Sequence, residues 1–223
     1  MYTRLLLVIT YPLAVLGLYM AFLYAPREAV MGEVQRIMYL HVPIAWTCFI
    51  AFFICFVYSI AYLVTRRQWF DTVASCAAEL GFLFCSLVLI TGPIWAKPAW
   101  NTWWTWDPRL TTTLVLWMMY GSYLILRDSM PSGDRQYRFC AVVGIVGFLD
   151  VPIVYMSIRW WRTIHPLLIT TDEIRMDDRM YQTLYLCFSA VLSLFLLLLA
   201  LRVGQRWMEE TVERAEQDAR IAS

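Results

Sequence analysis

Apolar positions run through this chain in six long blocks, each closed by a short polar stretch. They cover about Arg4 to Ala25, His41 to Val64, Val73 to Trp95, Pro108 to Leu126, Phe139 to Ile158, and Met180 to Leu201. Each is at least as long as the roughly 18 residues that span a bilayer as a helix. The pattern predicts an all-α integral membrane protein with six transmembrane helices in a single domain, 1–223. The first block lacks a small-residue cleavage site after a short apolar core, so it reads as a retained helix. Pro43 falls in the first turn of the second block, where a missing N–H costs little. Asp107 before Pro108 forms an N-cap and first helical residue. Pro152 predicts a kink in the fifth block. Gln35 to Leu40 is weakly amphipathic and reads as lying along the membrane interface. The tail, Gln205 to Ser223, is charged and helix-prone, placed to fringe the membrane or meet a partner.

Six spans put both termini on one face. Arg4, the two short loops and the tail carry ten arginines. The loops of the other face carry eight basic residues, among them Arg109, Arg159 and Arg162. The thin excess puts the termini in the cytoplasm, and the basic residues left outside hint at an anionic ligand. The first, third and fifth loops then share the outer face. The only two histidines, His41 and His165, border or occupy two of them.

The third loop is the most unusual stretch. Residues 96–113 read AKPAWNTWWTWDPRLTTT, with Trp100, Trp103, Trp104 and Trp106 within seven positions. An indole favours a place with one wet and one dry side. A membrane-interface belt accounts for Trp46, Trp95, Trp117, Trp160 and Trp161, but less well for this one-sided cluster. Were the loop helical, Trp100, Trp103, Trp104 and Asp107 would share a face. Arg109, at the second helical position, is badly placed for the helix dipole and well placed for an anion.

Composition narrows the chemistry. The chain is 61% apolar and 16% charged, with net charge +1 and mean hydropathy +0.58. No acidic or nucleic-acid partner is implied by the net charge. The single lysine, Lys97, sits in no phosphate-cradling motif, so any ATP is bound by another chain. The six cysteines lack metal-ligand spacing and read as small buried hydrophobes. Glu79 and Asp150 lie within apolar blocks, where an acid is a functional candidate by default. Taken alone, each histidine reads equally well as a helix-start or loop residue. Together with the tryptophans and arginines they match what a planar, anionic, iron-bearing macrocycle needs: an apolar surface, cations for carboxylates and axial nitrogens. With no histidine left for a second haem, a transmembrane electron-transfer cytochrome is disfavoured.

The run from Trp100 to Thr111, WNTWWTWDPRLT, resembles the tryptophan-rich "WWD" signature of the haem-handling proteins of cytochrome c maturation. Length and block count are similar to the cytochrome c maturation protein C family (haem exporter protein C, CcmC). The resemblance implies a bacterial inner-membrane protein that binds b-type haem non-covalently at its periplasmic face. His41 and His165 would be the axial ligands, with Trp100, Trp103, Trp104, Trp106, Asp107 and Arg109 contacting the cofactor. It implies delivery of haem to a periplasmic haem chaperone, without enzymatic activity of its own. It also implies work with an ATP-binding cassette subunit, a second permease subunit and a small single-span protein. Asn101 stands where the family usually has glycine. If that position needs a positive φ, Asn is the next most tolerant residue. The alternatives are a permease that moves haem through the bundle, which needs a polar path, and a scaffold anchored by its tryptophans.

Overall fold

The computed structural model describes residues 2–29, 31–163 and 176–222, and His165 lies outside them. The described residues form seven α-helices and no strand. They are α1 (Tyr2–Tyr19), α2 (Met38–Thr65), α3 (Gln68–Trp100), α4 (Pro108–Ser129), α5 (Asp134–Phe148), α6 (Asp150–Trp160) and α7 (Asp178–Ala222). A π-helical turn, Met20–Tyr24, ends α1, and a 3-10 turn, Glu33–Ile37, leads into α2. Five stretches are long and apolar enough to cross a membrane: Thr3–Tyr24, Glu33–Thr65, Gln68–Trp100, Asp134–Trp160 and Asp178–Val212. The protein is therefore an all-helical membrane protein. The fourth apolar block does form a helix, the 22-residue α4, but it is not among the five. Arg109, three consecutive threonines and a Tyr-Gly-Ser-Tyr run dilute its hydropathy.

Small residues set the centre of the bundle. Ala51 on α2 and Ala74, Ala77, Ala78 and Gly81 on α3 let these two helices pack most extensively of all. A Cβ on Gly81 would fall 2.6 Å from a ring carbon of Phe52. Phe52 in turn stacks on Tyr120 of α4 at 3.7 Å between centroids, and Tyr120 donates to the Gly144 carbonyl of α5 at 3.1 Å. All six cysteines are free and buried, as their apolar settings imply.

Several sequence expectations shift in register. α2 begins at Met38, so His41 and Pro43 lie inside the helix, not at a loop end or first turn. The stretch Gln35 to Leu40 is divided between the 3-10 turn and the start of α2. Met38 and Tyr39 are buried against Met180, Leu184 and Cys187 of α7. α3 runs five residues beyond Trp95, through Pro93 and Pro98, to Trp100. At 1.5 Å per residue its 33 residues span about 50 Å, well over the hydrocarbon core of about 30 Å. The break expected at Pro152 lies between α5 and α6 at Leu149. Pro152 has no N–H to offer the Phe148 carbonyl four residues back, and its ring crowds that carbonyl.

At the end of α3 away from the tryptophans, charges close the bundle. Arg127 of α4 meets Asp71 through both terminal nitrogens, at 2.5 and 3.1 Å, with side chains 10% and 2% exposed. Glu79 accepts from Arg202 of α7 at 3.0 Å. The tail continues α7 as one helix, and its first part packs against the start of α3: Glu210 accepts from Gln68 at 3.0 Å, and Trp207 meets Trp69 edge-on.

Candidate functional site

The other end of α3 opens into a mostly apolar cavity between the helices. Its floor comes from α2 with His41, Trp46 and Phe49, and from α3 with Val88, Gly92 and Trp95. Trp100, Trp103 and Trp104 form its aromatic wall, and Arg109 enters from the start of α4. Tyr155 and Arg159 of α6 close the remaining side.

Local sequence explains each placement. Residues 101–107 are not helical, so the one-face arrangement of Trp100, Trp103, Trp104 and Asp107 does not arise. Instead Asn101 ends α3 in the left-handed region, φ +56° and ψ +23°. Lys97 donates to its side-chain and backbone oxygens at 3.0 and 3.3 Å. This sharp stop turns the chain back over the cavity. Thr102 steadies the turn by donating to the Trp104 carbonyl at 3.1 Å. Asp107 caps α4 as expected, accepting from the Arg109 N–H at 3.0 Å with Pro108 in the first turn. The cap fixes Arg109 at the cavity edge. Among the described residues no carboxylate lies within ion-pair distance of its guanidinium.

The sequence-predicted residues divide. His41, Trp100, Trp103, Trp104 and Arg109 come together around one space. Trp106 is 75% exposed, does not line the cavity, and meets Trp104 edge-on at 5.8 Å. Asp107 is buried at the helix cap rather than in the wall. Two residues assigned to an interface belt also belong to the cavity. Trp95 is only 3% exposed, lies 6.3 Å from His41 and 5.3 Å from Trp100, and its indole N–H is buried without a partner. Trp46 lines the floor, braced edge-on by Phe188 of α7. Trp117 is neither belt nor wall; it stacks on Phe82 and donates to Ser86 at 2.8 Å. No sequence signal marked Trp95: it stands one helical turn after Thr91, and only the structure shows that Thr91 hydrogen-bonds His41 at 2.8 Å.

His41 is 7% exposed and is held through Nδ1 by Thr91 of α3. No described residue hydrogen-bonds Nε2. Nor does any group of three or more His, Cys, Asp or Glu among the described residues form a cage for a bare metal ion. The arrangement is an apolar aromatic pocket with one buried imidazole, one guanidinium that makes no ion pair among the described residues and one orphan indole donor.

Fold and cavity together define a class: a helical membrane protein with an aromatic-walled cavity at one end of its bundle. A family model described as heme exporter protein C matches residues 1–218, and the chain belongs to that family. It is similar to the heme exporter protein C of Bradyrhizobium diazoefficiens, 37% identical over 153 residues, covering 69% of this chain and 58% of that one. A cytochrome c biosynthesis ccmC-like mitochondrial protein of Marchantia polymorpha is 33% identical over 164 residues, 74% of this chain and 69% of that one. The heme exporter protein C of Rhodobacter capsulatus is 31% identical over 209 residues, 92% of this chain and 86% of that one.

Proposed function

We propose that this chain binds haem non-covalently in the tryptophan-walled cavity and presents it at the periplasmic face of a bacterial inner membrane. From there it passes haem to a periplasmic haem chaperone during c-type cytochrome biogenesis. The observation that carries the reading is the cavity, which gathers His41, three tryptophans of the WWD stretch and Arg109 around one apolar space. The residues suit the ligand. Indoles cover a flat apolar macrocycle, and Arg109, in no ion pair among the described residues, suits a propionate. The orphan Trp95 N–H offers a second donor. His41 would ligate the iron from one side and His165 from the other. Trp106 and Asp107 serve from beside the cavity, Trp106 by bracing Trp104 and Asp107 by holding Arg109.

In this reading the whole chain is one domain with six crossings, α5 and α6 forming one and α4 supplying the sixth. Both termini are cytoplasmic, and the loop between α3 and α4 is periplasmic. The protein carries haem and performs no covalent chemistry of its own. It works with an ATP-binding cassette subunit, a second permease subunit and a small single-span protein, since it has no phosphate loop. The rival permease reading needs a polar path through the bundle. Of the two acids at depth, Glu79 is engaged by Arg202 and Asp150 stands alone, so the bound-and-presented reading is favoured.

The test is the visible spectrum of the detergent-purified chain, oxidised and reduced. The wild type should show sharp low-spin bands. His41→Ala and His165→Ala should each lose haem or turn high-spin while the protein stays folded. Spectra unaltered in both single variants would sink the two-histidine assignment.

A further inference from the structure

Beyond the ligands themselves, one residue decides which nitrogen of His41 can act. Thr91 lies on α3 facing His41 of α2, with its Oγ1 2.8 Å from Nδ1. The same oxygen lies 2.7 Å from the backbone carbonyl of Leu87, one turn earlier. A carbonyl only accepts, so at that distance the hydroxyl proton must lie between these two oxygens. Threonine commonly makes this bond inside helices. The hydroxyl has a single proton, now spent. Toward His41 it offers only lone pairs, so Nδ1 must donate. A neutral imidazole carries one N–H, and Nε2 is left with its lone pair.

We infer that Thr91 is a positioning residue that holds His41 in the Nδ1–H tautomer and leaves Nε2 as its ligating atom. The ligating half rests on the haem reading above; the tautomer half does not. Gly92, next to Thr91, adds to the fit: a Cβ there would stand 3.4 Å from the imidazole Cε1, so the ring lies close against bare backbone. The chain Leu87 carbonyl, Thr91 hydroxyl, His41 Nδ1 thus fixes both the ring's plane and its proton. Outer partners of this kind raise ligand basicity and orient the ring, and losing one typically weakens metal binding by 10–100-fold.

Two measurements on the full-length chain separate the two halves. In the first, haem-free protein carrying ¹⁵N-histidine is prepared with His165→Ala, which leaves a single imidazole. The spectra are taken near pH 8, where an ordinary imidazole is neutral. Nε2 should resonate as the bare nitrogen and Nδ1 as the protonated one. Thr91→Val keeps the shape and removes the acceptor, and should shift His41 toward the Nε2–H form. Thr91→Ser keeps the hydroxyl and should behave as wild type. An Nε2–H tautomer in the unsubstituted site, or a Thr91→Val spectrum unchanged from that with threonine in place, would overturn the assignment.

In the second measurement, haem dissociation and spin state are compared with both histidines present. Thr91→Val should release haem about tenfold faster and gain a high-spin fraction, and Thr91→Ser should not. Equal rates and spectra would remove the ligand-positioning role. A wild type that takes up no haem would overturn the reading of the cavity, while the nitrogen spectra still decide the tautomer.

Discussion

The two ends of α3 are built on opposite principles. At Asp71 the bundle is shut. Arg127 meets the carboxylate through two nitrogens, Gln136 donates to the Arg127 and Met130 carbonyls, and Glu79 engages Arg202. These four charges, Asp71, Arg127, Glu79 and Arg202, each have a partner on another helix. At Trp100 the indole N–H of Trp95 is buried without a partner, and neither the Arg109 guanidinium nor Nε2 of His41 makes an ion pair or hydrogen bond with a described side chain. Two of the tryptophans there stand more than half exposed. Burying a polar group without a partner costs free energy. A protein that satisfies such groups at one end and leaves them at the other has spent stability on a site.

The largest way to sharpen this contrast is at the closed end. Arg127→Ala would strand Asp71, 2% exposed, as a lone buried carboxylate. Losing one partner of such a pair costs about 3–5 kcal/mol, whereas replacing both with apolar residues of similar size is often near neutral. Denaturation in detergent should therefore show Arg127→Ala far less stable than the double variant Arg127→Met/Asp71→Leu. Equal losses in the two would mean that the ion pair itself, and not the stranded charge, holds this end together.

A smaller effect is expected where the open end is turned. Asn101 holds φ +56°, a region that costs an ordinary L-residue about 1–2 kcal/mol and a glycine almost nothing. Asn101→Val should destabilise by about that amount and loosen the tryptophan loop, since a β-branched side chain fits there worst. Asn101→Gly should be near wild type. Thermal melts with haem-retention assays would check both, and a well-tolerated valine would show that the loop is held by its indole contacts instead.

Asn101 also marks what could be read from the chain. The left-handed turn, the Asp107 cap, the break at Pro152 and the apolar blocks are local. Each follows from one residue's own backbone preference or from spacing along one helix. Thr91 against His41, Trp95 against the same ring and Asp71 against Arg127 are not local. Their partners stand about fifty residues apart on different helices, and only the relative rotation and depth of those helices bring them together. That register is set by the Ala51, Ala77 and Gly81 crossing, which the sequence presents merely as small residues in apolar blocks. The third apolar block ends at Trp95, whereas α3 continues through Pro93 and Pro98 to Trp100, since membrane helices tolerate proline where neighbours satisfy the freed carbonyls.

The smallest stability effect, and the sharpest contrast, belongs to Trp103. Its side chain lines the cavity yet is 59% exposed. Trp103→Ala removes little packing, and exposed substitutions away from caps and cores usually stay within about 0.5 kcal/mol. The melt should therefore barely move. Haem retention should fall, because each aromatic face withdrawn from a flat ligand costs contact area that nothing in the wall replaces. If Trp103→Ala instead lowered stability as much as Arg127→Ala, the tryptophan wall would be a structural element like the ion-paired end, and the difference between the two ends of α3 would vanish. A change in haem retention with an unmoved melt is the outcome expected of a wall built for a ligand.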